Sequence, residues 1–320
     1  MNKEVKELRK KFKKYDIDGY VVPKNDDYFT EYSKINRLKI ISNFSGSAGY
    51  AIILKKKNFL FIDGRYTIQA QLESGENFKI IDYSKIFDCN IFKRLTLGLD
   101  PKLFTSEQIK KFFLKHNKIK EIQSNLIDQI SNKKNTYSKP FFSLHKNVTG
   151  ENFKNKIIKI SNFLINNKID YIYISAPENV AWLLNIRGYD NPNSPIPNCH
   201  LLLDNKKKFY LITNKKKTIN LLKEKKIKNY QVVEPGNFEK FVDQFNKQKI
   251  IIDIKSCSLH FENILKKRFQ IIKKDDPIYL LKSIKNKTEI KNMINAHILD
   301  GVALTKFLYW IKKENNKTIT

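Results

Sequence analysis

A strand-like segment, DGYVV at 18–22, returns as DYIYIS at 170–175, and this recurrence limits what the chain can fold into. The interval from Asp18 to Asp170 is 152 residues, and it persists. After the first segment comes polar NDDYFTEYS, read as helical; after the second comes PENVAWLLN (177–185), also helical. Each copy then passes through a loop into a hairpin, AIIL-KKKN-FLFID at 51–63 and LLLD-NKKK-FYLIT at 201–213. A helix follows (RYTIQAQLE; KKTINLLKEKK), then a strand, FKIID (78–82) or YQVVE (230–234). Phe59 pairs with Phe209 and Phe78 with Tyr230, at intervals of 150 and 152. LGLDP (97–101) pairs with IIDIK (251–255), and NLIDQI (125–130) with DPIYLL (276–281).

A drift of two residues over such a span identifies two copies of one α/β unit. They cover 1–148 and 149–284, each an ordinary domain size. KPFFSLHKNVTGEN (139–152) is the expected link. Hairpins pair strands antiparallel, whereas strand–helix–strand connections pair them parallel, so each sheet is expected to be mixed and flanked by helices.

Residues 285–320 belong to neither copy. Asn286 and Glu289 have capping-box spacing, and Ile290, Ile294, Ile298, Val302 and Leu308 form one helical stripe. A helix of about 28 residues would be about 42 Å long. Its stripe must bury against something, so this segment is expected to open a third domain.

The chemistry is sparse. SGSAG (45–49) leads into a strand, whereas a phosphate loop needs a helix N-terminus to converge on the anion. Its plain reading is a loop in which Gly46 and Gly49 supply open backbone angles. DGR (63–65) has no match in the second copy, where TNK stands. Cys89, Cys199 and Cys257 form no CxxC pair, which argues against a zinc site or a disulfide framework. His297 and Asp300 are three apart on one helix, but two ligands fall short of a metal site. His116, His145, His200 and His260 are isolated. No nucleophile elbow appears.

Charge needs separate treatment. The net value is +29, yet only six of the 61 basic residues are arginine. Base-reading proteins favour arginine for its bidentate fork. The lysines are scattered in short runs, at 55–57, 206–208 and 215–217, two of them at expected hairpin turns. They read as solvated surface; a polyanion footprint is the rival reading, and nucleic acid is an unlikely partner. No apolar run approaches a bilayer span and no signal core opens the chain, so no membrane is implied and a cytoplasmic protein is expected.

NFSGSAGYAII together with FIDGRYTIQAQ resembles the N-terminal domain of aminopeptidase P, the Xaa-Pro aminopeptidases of the creatinase/prolidase superfamily. LGLDP at 97, ENVAWLLNIRGYDNPNSPIP at 178 and KNKTEIKNMINAHILDGVALTKFLYW at 285 agree in order and spacing, so the likeness covers essentially the whole chain. It implies two tandem creatinase-N-terminal-like domains, then the opening helix (285–320) of a pita-bread catalytic domain. It implies a hydrolase that removes the residue preceding proline from Xaa-Pro peptides. Two divalent metals, usually manganese, would hold the attacking hydroxide.

The family's ligands, two Asp, one His and two Glu, lie downstream of the AHILDGVAL helix. The resemblance therefore assigns no metal or catalytic residue in 1–320, and the chain is expected to be inactive alone, as a truncated frame or a fragment. It also implies homodimer contacts and a walled cleft. Arg65, Asp63 and Arg187 are the candidates for the cleft or an interface; a structural ion pair or helix-start contact is the competing role for both arginines. The loop after Arg187, with Pro192, Pro195 and Pro197, is stiff and expected to face the third domain. Trp182, beside Val180, Leu183 and Leu184, is expected in the core. The alternative functions are a non-catalytic dimerisation or binding module and, last, a basic nucleic-acid-binding protein.

Overall fold

The computed structural model describes residues 3–30, 35–87, 93–113, 116–131 and 139–314; Cys89 lies outside them. The first copy runs α1 (Lys3–Tyr15), β1 (Gly19–Pro23), α2 (Arg37–Ser42), β2 (Gly49–Leu54), β3 (Asn58–Ile62) and α3 (Thr67–Ser74). It closes with β4 (Lys79–Asp82), β5 (Thr96–Leu99), α4 (Ser106–Phe112), β6 (Lys118–Glu121) and α5 (Leu126–Ser131). A short bridge of β7 (Phe142–Ser143) and α6 (Lys146–Thr149) leads on. The second copy begins α7 (Phe153–Asn166), β8 (Tyr171–Ile174), α8 (Pro177–Leu184), β9 (Ile186–Arg187), β10 (His200–Asp204), β11 (Phe209–Ile212) and α9 (Ile219–Lys223). It ends β12 (Val232–Val233), α10 (Phe238–Val242), β13 (Gln248–Ile252), α11 (Leu259–Lys266), β14 (Phe269–Lys273) and α12 (Ile278–Ser283), before α13 (Lys287–Lys313).

The two sheets have the same order, β4-β3-β2-β1-β5-β6 and β12-β11-β10-β8-β13-β14. Each hairpin strand pairs antiparallel and each outer strand parallel, in the same sense in both. Even side-chain roles repeat. The Asp18 carboxylate accepts the Thr96 amide (2.9 Å), as Asp170 accepts that of Lys249 (2.8 Å). The register corrects one pairing: Ile53 faces Asn58 but Leu203 faces Phe209, so the second hairpin is one residue longer and Tyr210 is the counterpart of Phe59.

Both sheets bury apolar residues on each face, as strands covered by helices on both sides do. The N-terminal helix α1 lays Val5, Leu8 and Phe12 into the first core. The first six residues of NDDYFTEYS, 25–30, differ from the helical expectation, and 31–33 lie outside the described residues. The Asp26 carboxylate accepts the amides of Tyr28 (2.9 Å) and Thr30 (3.0 Å), and Phe29 takes a left-handed φ of 59°. This local bonding curls residues 26–30 into a turn, and the helix α2 runs from Arg37, capped by Asn36.

The two copies meet through equivalent parts. Thr105 and Ser258, N-caps of α4 and α11, form an antiparallel bridge with each other. The Leu259 amide donates to the Phe104 carbonyl (2.8 Å), and Leu259 packs onto the first copy's core. Asn263 on α11 donates to Glu121 at the end of β6 (3.0 Å), while Ser106 on α4 accepts from Lys273 at the end of β14 (2.8 Å). Equivalent elements contacting each other reciprocally define a local two-fold relation, the geometry of an isologous interface.

α13 stands apart. Its capping box is complete: Asn286 Oδ1 accepts the Glu289 amide (3.0 Å) and Glu289 accepts that of Asn286 (2.9 Å). Asn286 Nδ2 also donates to the Thr149 carbonyl (2.9 Å), and Asn292 to that of Val148 (3.1 Å), which fixes the helix base. None of its 27 residues is buried, and Ile294, Ile298, Leu299, Phe307 and Trp310 are all exposed.

Candidate functional site

FSGSAGY and FIDGRY meet at one end of two interior strands of the first sheet, because Gly49 at the start of β2 pairs with Ile62 at the end of β3. Glu73 on α3 accepts from the Ser45 amide (2.7 Å) and hydroxyl (2.6 Å), and the Ser47 and Tyr66 hydroxyls share a hydrogen bond of 2.8 Å. The loop before β2 is thereby tied to the helix after β3. A Cβ on Gly46 would lie 2.2 Å from the Phe44 ring, and one on Gly49 2.8 Å from the Phe61 carbonyl oxygen. Neither glycine has a left-handed φ. Close approach, and not open backbone angles, requires them.

A cavity of about 280 Å³ opens beside these residues, lined by Lys24, Asn25, Ser47, Tyr50, Asp63 and Tyr83. It lies beyond the carboxyl ends of β1, β3 and β4, the edge where open α/β sheets place ligands. Asp63 caps a 3-10 turn by accepting the Arg65 amide (3.0 Å). Asn214 does the same for Lys216 (2.8 Å), so the cap belongs to the shared plan although DGR does not. The Arg65 guanidinium donates to Asp63 (2.9 Å), an exposed pair that holds the Asp63 carboxyl below its usual range.

Arg187 lies in the other copy. Its Nη1 donates to the carbonyls of Ile186 (2.8 Å) and Ala181 (3.4 Å), and it lines a separate cavity with Trp182, Tyr279 and Lys282. Trp182 is half-buried against the core formed by Val180, Leu183 and Leu184, and its indole N–H has no partner. Nothing in the pattern flags Lys156 as special, yet it is 1% exposed and donates to Asn185 Oδ1 (2.8 Å) and the Trp182 carbonyl (3.0 Å).

At the seam between copies, Tyr28 stacks on His200 with ring centroids 4.9 Å apart. His200 Nδ1 donates to the Ser175 carbonyl (2.9 Å), and burial pushes its pKa down to about 4. The unfolded chain therefore takes up a proton near pH 6.5 that the folded chain refuses until about pH 4, so stability from this residue is lost as pH falls through that window. Burial raises Asp26, Asp100 and Asp276 to about 6, which acts in the opposite sense because the folded chain protonates first. A His200→Gln variant isolates the histidine. Its stability relative to wild type should improve by about 2 kcal/mol between pH 7 and pH 5 in denaturant titrations; a constant difference would refute the assignment.

Residues 5–124 match one family model described as the creatinase/prolidase N-terminal domain, and residues 132–289 match a second of the same description. The chain belongs to the creatinase/prolidase family. Xaa-Pro aminopeptidase 1 of Dictyostelium discoideum is 31% identical to it over 340 residues, covering 98% of this chain and 54% of that relative. Xaa-Pro aminopeptidase ApepP of Drosophila melanogaster is 27% identical, covering 94% and 52%. The chain thus spans about half the length of the curated relatives it matches. An X-prolyl aminopeptidase from Caenorhabditis elegans, described as a cytosolic enzyme with a di-nuclear active site, superposes with a TM-score of 0.83 over 97% of this chain and 56% of its own. At 22% identity that match establishes a shared creatinase/prolidase fold.

The described residues hold no candidate metal centre. No group of three or more His, Cys, Asp or Glu among them is placed to hold a metal ion. His297 and Asp300 project from exposed α13. Cys199 and Cys257 are buried free thiols whose pKa burial raises. Among the described residues no helix is long and apolar enough to cross a membrane.

Proposed function

We propose that this chain is the cleft-walling, non-catalytic portion of a cytosolic Xaa-Pro aminopeptidase that removes an N-terminal residue preceding proline. In this reading two divalent metals, manganese by preference, are supplied by ligands outside residues 1–320. The described residues do not fit that metal pair, so no hydrolytic step is derived on them. The reading rests on α13. Its base is fixed by Asn286 and Asn292, and its apolar side chains lie uncovered. Such a surface on a rigid helix is built to pack against a further body. End-to-end likeness to Xaa-Pro aminopeptidases supplies that body's chemistry.

Within this reading Asp63 and Arg65 border the peptide approach, Arg187 faces the catalytic body, and the whole enzyme is a homodimer. The test is manganese-dependent release of the first residue from an Xaa-Pro peptide. The 320-residue chain should release none, while a polypeptide extended through the Asp, Asp, His, Glu, Glu ligand set should release it. Turnover by the 320-residue chain itself would overturn the division of labour.

The bare α13 face also favours a second reading, a non-catalytic module that dimerises through this helix. Sedimentation of the 320-residue chain separates the two: a dimer abolished by Ile298→Asp supports the second.

A further inference from the structure

Arg187 leaves one edge of its guanidinium bare. Its Nη1 serves the end of α8, donating to the carbonyls of Ala181 and Ile186. Nε and Nη2 make no hydrogen bond, and neither is sealed from solvent. Other arginines of the molecule fill this edge with oxygen. Arg37 directs Nε and Nη2 at the two carboxylate oxygens of Asp128, both at 2.8 Å. Arg65 and Arg268 hold Asp63 and Asp243 with the same two nitrogens. Arg9 turns them to the Leu54 carbonyl and the Asn58 side-chain oxygen.

Arg187 lines a cavity of about 450 Å³, within the usual range of ligand pockets. Lys282 and Lys285 line it too, and Glu178 is the one carboxylate among the lining residues, 4.0 Å from Lys282 Nζ. Three cations against one anion leave two positive charges in excess. Burial alone holds the pKa of the Arg187 guanidinium below its ordinary value, with no acid acting in the opposite sense. A half-buried charge without a counter-ion is costly, and its removal from water strengthens its pull on any anion that arrives. The planar fork of an arginine matches a carboxylate at two points, as Arg37 shows with Asp128. Trp182 and Ile196 give the rest of the cavity an apolar surface.

We infer that this cavity binds a carboxylate, gripped at two points by Nε and Nη2 of Arg187, with Lys282 and Lys285 adding charge and the apolar body of the acid resting on Trp182 and Ile196. Nothing in this site depends on the peptidase reading above. The carboxylate group has two sources, a free organic acid and an Asp or Glu side chain of polypeptide packed at the base of α13. The second source is within reach because Lys285 directly precedes Asn286, the cap of that helix.

Sodium benzoate is the probe, titrated against the 320-residue chain by saturation-transfer NMR in about 150 mM sodium chloride, where long-range attraction is screened. It should bind saturably, and benzamide, its neutral isostere, should not. Arg187→Gln should weaken binding about ten-fold, the equivalent of one charge-assisted hydrogen bond. Lys206→Gln removes the same charge from an exposed hairpin turn and should change binding by less than about two-fold. Glu178→Gln leaves the arginine in place and should tighten binding about three-fold, because the one repelling carboxylate is gone. No benzoate signal up to about 10 mM, beyond the weak end of specific recognition, would overturn the proposal. Equal losses in Arg187→Gln and Lys206→Gln would overturn it too, by reducing the effect to net charge. The same titration on the extended polypeptide names the source. Retained binding assigns the edge to free organic acids, and lost binding assigns it to a side chain of the added segment; both support a carboxylate. Turnover is read by a separate assay, so the carboxylate site and the peptidase reading fail separately.

Discussion

Replacing Lys156 with alanine should destabilise the chain by about 3–5 kcal/mol, measured by urea denaturation. The lysine is fully enclosed between α7 and the end of α8. Its ammonium lies 4.1 Å from the Trp182 ring centroid and bonds Asn185 Oδ1 and the Trp182 carbonyl. Asn185 is itself committed: it holds a left-handed φ of 51° as the α8 C-cap and donates to the Glu151 carbonyl (2.8 Å). Alanine would leave Asn185 Oδ1 unmet and the Trp182 carbonyl with only the Asn185 amide (3.4 Å), and would empty the space of a four-carbon stem. Methionine keeps most of that volume, so Lys156→Met should lose less than Lys156→Ala.

A pH series adds a signature that packing alone does not give. Burial lowers the pKa of Lys156 from 10.5 to about 8. The unfolded chain holds the proton over that interval and the folded chain does not, so wild type gains stability as pH rises from about 8 to 10.5. Lys226, lowered to about 8 by burial, adds to the same window. Lys156→Met should lose the Lys156 share of the gain. An unchanged slope in the variant would refute the assignment.

Phe104→Ala should be comparably damaging, about 3–5 kcal/mol, because the ring is completely buried. It packs edge-on to Phe113 at 6.1 Å and belongs to the cluster that receives Leu259 from the other copy. Alanine keeps the backbone carbonyl that accepts the Leu259 amide but empties the cluster that Leu259 joins, so the loss falls on the seam as well as on the first core. Wild type should melt in one calorimetric transition, with both copies unfolding together. Phe104→Ala should melt at lower temperature and split into two transitions. A single unsplit transition in the variant would mean that the seam does not rest on this ring.

The periodic parts of this structure were plain in the sequence. Strands alternate with helices at a steady interval because each copy rebuilds the same sheet, and Asp18 and Asp170 serve the same two strands in each. The Asn286–Glu289 spacing announced a capping box because that geometry is local. What escaped depends on partners distant along the chain or on bonding that overrides propensity. NDDYFTEYS looked helical, yet within its described part, 25–30, Asp26 captures two amides and turns the chain. Lys156 reads like any surface lysine, since its partners stand 26 and 29 residues away. At the candidate site, SGSAG and DGR were recognisable as departures from the repeat, but their joining by Ser45, Ser47, Tyr66 and Glu73 requires the β2–β3 pairing to be known. Arg187 could be singled out, but the bare edge of its guanidinium leaves no mark in the sequence at all.

The Thr105–Ser258 bridge has a consequence for how this molecule behaves on dilution. Two separate chains joined by such a contact would dissociate as concentration falls. Here one polypeptide carries both halves, so the tether sets an effective concentration that no dilution lowers. Nor must both halves stay alike, as in a symmetric pair of identical chains. One half carries FSGSAGY and DGR on its outer edge, and the other carries the Asn/Pro-rich loop at its equivalent place. Fusion has turned a symmetric handshake into a permanent scaffold with two different faces.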